Sequence, residues 1–141
     1  MSTDVRIFSQ TASIVIYHEC ETAFCLHKPS GESFPVHQFY GDPVCALIGR
    51  NDDWCLIGGD VLVLLWVQDR TTKIIDGLKW IFDLRIVNDM TIQILTDPWG
   101  EAPAIWELAI RPDYPNEPAQ PIKIKDFPGY KNKPFTESVM W

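Results

Sequence analysis

Long apolar runs are missing from this sequence. The longest, residues 61–67, falls far short of the roughly 18 residues that a membrane-spanning helix needs, so no membrane partner is expected. The first residues carry one acid and one base ahead of a short apolar run, without the basic start and longer apolar stretch of an export signal. The expectation is a cytoplasmic protein whose four cysteines stay reduced. Positive charge is in the minority: 12 Lys and Arg face 19 Asp and Glu, a net −7 that repels phosphate backbones and argues against direct nucleic-acid binding. Also absent are a phosphate-cradling glycine loop, a dinucleotide glycine fingerprint, a Gly-x-Ser-x-Gly elbow and a His-Glu-x-x-His pair. Enzyme classes built on those devices are disfavoured, and the reading leans away from an enzyme.

What is present is β-strand chemistry. Val, Ile, Trp, Tyr and Phe dominate the apolar positions, and they alternate with polar residues. Residues 78–87 put Leu78, Trp80, Phe82, Leu84 and Ile86 on one face of a half-buried strand. Asn88-Asp89 turns that strand into a second over 90–96, and Asp97-Pro98-Trp99-Gly100 leads into a third over 104–111, a meander. Residues 61–67 are apolar at nearly every position, which predicts a central strand buried on both faces, paired with 53–57 across Gly58-Gly59. Strands are also expected at 5–8, 13–19 and 23–27, with a hairpin tip near Glu21-Thr22. Helix is confined to two poor candidates, 40–48 with Pro43 inside it and the β-branched 71–75. The fold class is therefore mainly β, an antiparallel meander, sandwich or half-barrel.

Two units of one domain are expected, an antiparallel β-domain over 1–111 and an extended segment over 112–141 packed on it. Six prolines in that tail argue against ladder or helix, while Tyr114, Ile122, Ile124, Phe127, Tyr130, Phe135 and Trp141 argue for a wrap on the domain. No repeat of fixed period is evident. The stretch 51–60 followed by Leu65-Trp66 is like part of a propeller blade, but the chain is short for several blades of roughly 40 residues.

Two groups of residues carry candidate chemistry. His18, Cys20, Cys25 and His27 flank the predicted hairpin tip; with an even-numbered loop all four face one side, a soft-metal ligand set for zinc. The alternative is that the cysteines are small core residues and the histidines lie at the sheet margin, with no cofactor at all. The second group is acidic and aromatic. Residues 1–60 hold eight acids and three bases, and among them Asp52, Asp53 and Asp60 accompany Trp54, while Glu101 follows Trp99. An exposed indole ringed by carboxylates anchors a basic protein partner, the ring supplying buried area and the acids steering the encounter. The functional expectation is an acidic protein-binding domain of immunity or inhibitor type that neutralises a basic toxin or nuclease. A metal- or small-ligand-binding β-domain and a structural subunit of an assembly stand as alternatives.

Overall fold

A computed structural model describes residues 5–111, 120–130, 132–135 and 138–141. The chain forms three four-stranded antiparallel sheets, and no residue among those described is helical. Sheet 1 holds β1 (Val5–Gln10), β2 (Ile14–Glu19), β3 (Thr22–His27) and β4 (Glu32–Gln38). Sheet 2 holds β5 (Cys45–Ile48), β6 (Trp54–Gly58), β7 (Leu62–Trp66) and β8 (Thr71–Ile75). Sheet 3 holds β9 (Ile81–Asn88), β10 (Thr91–Thr96), β11 (Ala104–Ala109) and β12 (Ile122–Asp126). Each sheet is a meander in chain order, and the first strands lie side by side, β1 against β5 and β5 against β9. The sheets thus fan out from a shared inner edge, as the blades of a β-propeller do.

Sheet 2 is the middle layer, and its sequence shows why. On β6 and β7, Cys55, Ile57, Val63 and Leu65 pack with Ile14, Ile16, Ala23, Cys25 and Val36 of sheet 1. The alternate residues Trp54, Leu56, Leu62 and Leu64 pack with Ile81, Leu84, Ile92, Ile94 and Leu108 of sheet 3. Period-2 alternation sends neighbouring side chains to opposite faces, so a strand between two sheets must be apolar throughout. The all-apolar run at 61–67 is therefore a doubly buried strand, as its composition predicts.

Several expectations need correction. Residues 71–75 are β8 and 45–48 are β5, so both helix candidates are strands. Residues 122–126 pair with β11 as an edge strand inside the proline-rich tail, because the IKIKD run itself contains no proline and alternates as a strand does. Prolines 112, 115 and 118 and Tyr114 lie outside the described residues. The β2–β3 tip is Cys20-Glu21 rather than Glu21-Thr22, since Glu19 pairs with Thr22. The blade-like stretch is the β6–β7 hairpin of one of three blade-like sheets, each with its own sequence, which is why no period shows.

The predicted face of 78–87 is also broken. Trp80 has φ 55°, a left-handed conformation rare for a bulky residue, and it sits before β9 rather than within it. Leu78, Ile81 and Leu84 are buried, whereas Trp80 and Ile86 are exposed. A single left-handed residue, followed by register shifts opposite Thr91 and Thr96, resets which residues face the core.

Candidate functional site

The six residues expected to bind a partner do not form one surface. Trp54 is 2% exposed, packed over Gly49 so closely that a Cβ there would lie 2.4 Å from its ring. It is core, which overturns its role as an exposed anchor. Asp52 and Asp53 lie in the β5–β6 turn, where Asp52 accepts a hydrogen bond from the Thr11 hydroxyl at 2.9 Å. Asp60 lies past the other end of β6, a five-residue strand that separates the two groups by roughly 17 Å. Asp60 and Glu101 both lie at this second end, and there the indole they need is supplied by Trp80.

Strand polarity sets this arrangement. Because every strand is antiparallel to the next, the connections at 20–21, 39–44, 59–61, 76–80 and 97–103 all emerge at one end of the sheets. That end carries six acids, Glu21, Asp42, Asp60, Asp76, Asp97 and Glu101, against one base, Lys79. The opposite connections at 11–13, 28–31, 49–53, 67–70 and 89–90 hold four acids and three bases. There Arg50 bridges Asp89 at 3.1 Å and Arg70 pairs with Glu32, lowering that carboxyl's pKa chiefly through their hydrogen bond.

Trp80 stands at the centre of the acidic end and is 55% exposed. Its backbone is held on both sides: its N–H donates to the Asp60 carbonyl at 3.0 Å, and its carbonyl accepts from the Asp97 N–H at 2.8 Å. Two clefts share its side chain and Asp97. One, of about 520 Å³, is lined by Tyr40, Asp42, Val44 and Asp60; the other, of about 710 Å³, by Lys79, Thr96, Glu101 and Trp106. Tyr40 is 80% exposed, and its N–H donates to Asp60 Oδ1 at 3.1 Å. The Gly41 N–H donates to Glu21 Oε2 at 2.7 Å, so this loop is tied to two neighbouring turns.

Trp99 is held behind this surface. Its indole N–H donates to the Lys133 carbonyl at 3.0 Å, and its ring meets Phe82, Tyr130 and Phe135 edge-on or tilted. The Phe127 N–H donates to the Pro103 carbonyl and the Tyr130 N–H to the Pro98 carbonyl, which brings the tail onto the β10–β11 connection. Trp99 is therefore half-buried cement between tail and sheet 3.

The proposed metal ligands are not gathered either. His18 pairs with Ala23, Cys25 with Ile16 and His27 with Ile14, so those three share a face but are strung along it, and Cys20 occupies the turn. His18 stacks on Phe8 and its Nδ1 is 2.8 Å from the Cys20 carbonyl, while His27 Nδ1 is 2.8 Å from the Ser30 hydroxyl. Among the described residues no three His, Cys, Asp or Glu side chains form a metal-holding group. Cys25 lies in the core between sheets 1 and 2, where burial raises its pKa to about 11. Burial, aided by the Asp83 charge, takes Cys45 to about 12, and burial raises Cys55 as well.

The thiols give a direct check. Only Cys20 is exposed, so a thiol-reactive dye at neutral pH should label one site per native chain and all four after unfolding. Rapid native labelling at Cys25 or Cys55 would contradict the sheet 1–sheet 2 packing. The raised pKa values also fix a sign: above pH 9 the unfolded chain ionises thiols that the fold keeps neutral, so stability falls as pH rises from about 9.

Sequence reasoning missed Tyr40, Asp42, Trp80 and Asp97. Trp80 had a local signal, Asp76-Gly77, with Gly77 at φ 89°, a turn pair that ends β8 and starts a loop before β9. The other three have none, since they join the site through packing of distant connections.

No family model matches the chain, and no curated protein is significantly similar to it. Among solved structures, it is similar to a chain in the S. cerevisiae complex of a Dbp5 variant bound to Nup159, a Gle1 variant, IP6 and ADP. The TM-score is 0.54 at 14% identity, covering 95% of this chain and 34% of that one. The likeness is one of fold, and this chain spans about a third of the length of that protein.

Proposed function

We propose that this chain is a protein-binding β-module whose acidic, aromatic end takes a basic protein, in the manner of an immunity or inhibitor protein facing a toxin or nuclease. The carrying observation is Trp80: a large indole, over half exposed, held in a left-handed backbone between two clefts lined with carboxylates. Strained, exposed aromatics persist where surrounding structure fixes them, and an indole with a carboxylate surround is suited to a cationic partner surface. The six acids at this end, set against Lys79, supply a field largely of one sign that speeds encounter with a positive surface and repels nucleic acid. The metal-site alternative gains no support from the positions of its four residues.

The test is association kinetics with the basic partner captured from the native organism. Raising salt from about 50 to 500 mM shortens the screening length several-fold, so the association rate should fall by about tenfold or more. The Asp60→Asn, Asp97→Asn, Glu101→Gln triple variant should slow association to a similar degree. The Asp52→Asn, Asp53→Asn pair, at the far end, should change it little. A slow-down confined to the latter pair moves the site to the opposite end; a rate insensitive to salt ends the electrostatic reading.

A further inference from the structure

The cleft between Tyr40 and Trp80 is built around one residue. Asp60 accepts the Tyr40 N–H on Oδ1 at 3.1 Å, and its carbonyl accepts the Trp80 N–H at 3.0 Å, so a single aspartate anchors the backbones of both aromatic walls. The flanking backbone is tied as well. Gly41, at φ 81°, donates to Glu21 Oε2 at 2.7 Å, while the Val44 N–H meets the Gly58 carbonyl and the Ile81 N–H the Gly59 carbonyl, both at 2.8 Å. Phe82 is half-buried in the same cleft, its ring 5.8 Å from that of Trp99 behind it. With the backbone fixed in this way, only side-chain torsions are left to be ordered when a ligand enters.

Three carboxylates, Asp42, Asp60 and Asp97, line this cleft, and among the described residues no lysine or arginine does. Lys79, next to Trp80 in sequence, lines the second cleft with Glu101 instead. Asp60 and Asp97 are half-buried, and the Trp99 N–H holds Asp97 Oδ1 at 2.9 Å much as the Tyr40 N–H holds Asp60. A carboxylate has about four acceptor sites, so one backbone N–H orients it and leaves capacity for further donors. Exposed Val44 and buried Ile81 add apolar wall beside the rings.

We infer, resting on the reading of this end as the seat of a basic protein, that the Tyr40–Trp80 cleft takes one arginine side chain of that partner. Its guanidinium lies on the Trp80 indole and donates to Asp60 and Asp97, with the stem against Tyr40 and Val44. The walls select arginine among cations. A quaternary ammonium is drawn to aromatic faces but has no N–H, so it takes half-buried carboxylates out of water without donating to them. A lysine ammonium is a compact, strongly hydrated charge with no planar face to lay on an indole. A guanidinium is less strongly hydrated, stacks on aromatic rings and carries five donors in a fork that suits carboxylates, while its methylenes bury along apolar surface. The cleft volume of about 520 Å³ lies within the roughly 300–1,000 Å³ of small-ligand sites.

Proton–nitrogen NMR titration of the full chain with capped Gly-Arg-Gly, Gly-Lys-Gly and Gly-citrulline-Gly peptides, and with tetramethylammonium, separates these ligands. The arginine peptide should shift the Trp80 indole signal and the Tyr40 and Gly41 amide signals saturably, with a Kd on the order of 1 mM, the level expected of one side chain. The lysine peptide should bind about threefold more weakly or worse, the neutral citrulline peptide about tenfold more weakly or worse, and tetramethylammonium more weakly than the arginine peptide. Tyr40→Ala and Asp97→Asn should each weaken the arginine peptide by about fivefold or more. Tyr40→Ala, at a position already in solvent, should keep the wild-type circular dichroism spectrum, so it decides the matter if Asp97→Asn disturbs its turn. The assignment is overturned by no saturation below about 20 mM, by equal affinity for the arginine and citrulline peptides, by tighter binding of tetramethylammonium, by shifts confined to the second cleft, or by an unchanged affinity in folded Tyr40→Ala. The partner kinetics fail separately. Salt-sensitive association slowed by the triple variant, with no peptide binding, removes the arginine cleft and keeps the basic partner; salt-insensitive association with saturable peptide binding does the reverse.

Discussion

Alanine in place of Ile57 is expected to destabilise the protein by about 2–5 kcal/mol, and alanine in place of its neighbour Leu56 by a similar amount. Ile57 is fully buried against sheet 1 and Leu56 fully buried against sheet 3. Removal of either loses the transfer free energy of about three carbons and leaves a cavity in a close-packed layer. In a sheet with one wet face, one of two consecutive residues is exposed, and its substitution falls within about 0.5 kcal/mol of wild type. Denaturant unfolding of both variants thus reads the number of layers. A domain of ordinary stability, about 5–15 kcal/mol, survives each change alone but loses much of its margin in the double variant. If either single variant unfolds like wild type, sheet 2 is not sandwiched.

Trp80→Gly is expected to separate stability from binding. Glycine removes the strain of φ 55° and at the same time adds freedom to the unfolded chain; these oppose each other, so stability should stay within about 1 kcal/mol of wild type. Binding of the basic partner should weaken by about 2 kcal/mol or more, roughly thirtyfold, with the loss chiefly in the dissociation rate. Calorimetric titration alongside thermal unfolding measures both. Unchanged affinity in a folded Trp80→Gly protein removes the indole from the interface. A large loss of stability instead means that Trp80 is structural, its exposure notwithstanding.

Much of the fold was legible because strand signals are local. The hairpins around Gly58-Gly59 and Asn88-Asp89 and the doubly buried 61–67 run rest on side-chain period and turn chemistry within a few residues. β5 and β8 were misread because a four- or five-residue strand shows too little periodicity to outweigh Pro43 or a short β-branched run. β12 was hidden by the prolines on either side of it. Trp54 and Trp80 exchanged roles: next to two aspartates Trp54 looks exposed, and in an alternating run Trp80 looks buried. Sheet 3 covers the first, and one left-handed residue turns the second outward.

The sequence by itself determined the β class, the acidic excess and the position of the middle layer, since each follows from composition or from alternation along one strand. Only the tertiary structure decided which carboxylates lie together. Residues near 42, 60, 80, 97 and 101 come from four connections that antiparallel strands deliver to the same end, whereas Asp53, seven positions before Asp60, is sent to the other. Alternation fixes which face a side chain takes. Which end of the stack a loop reaches depends on every strand before it, and its neighbours there depend on how three sheets pack.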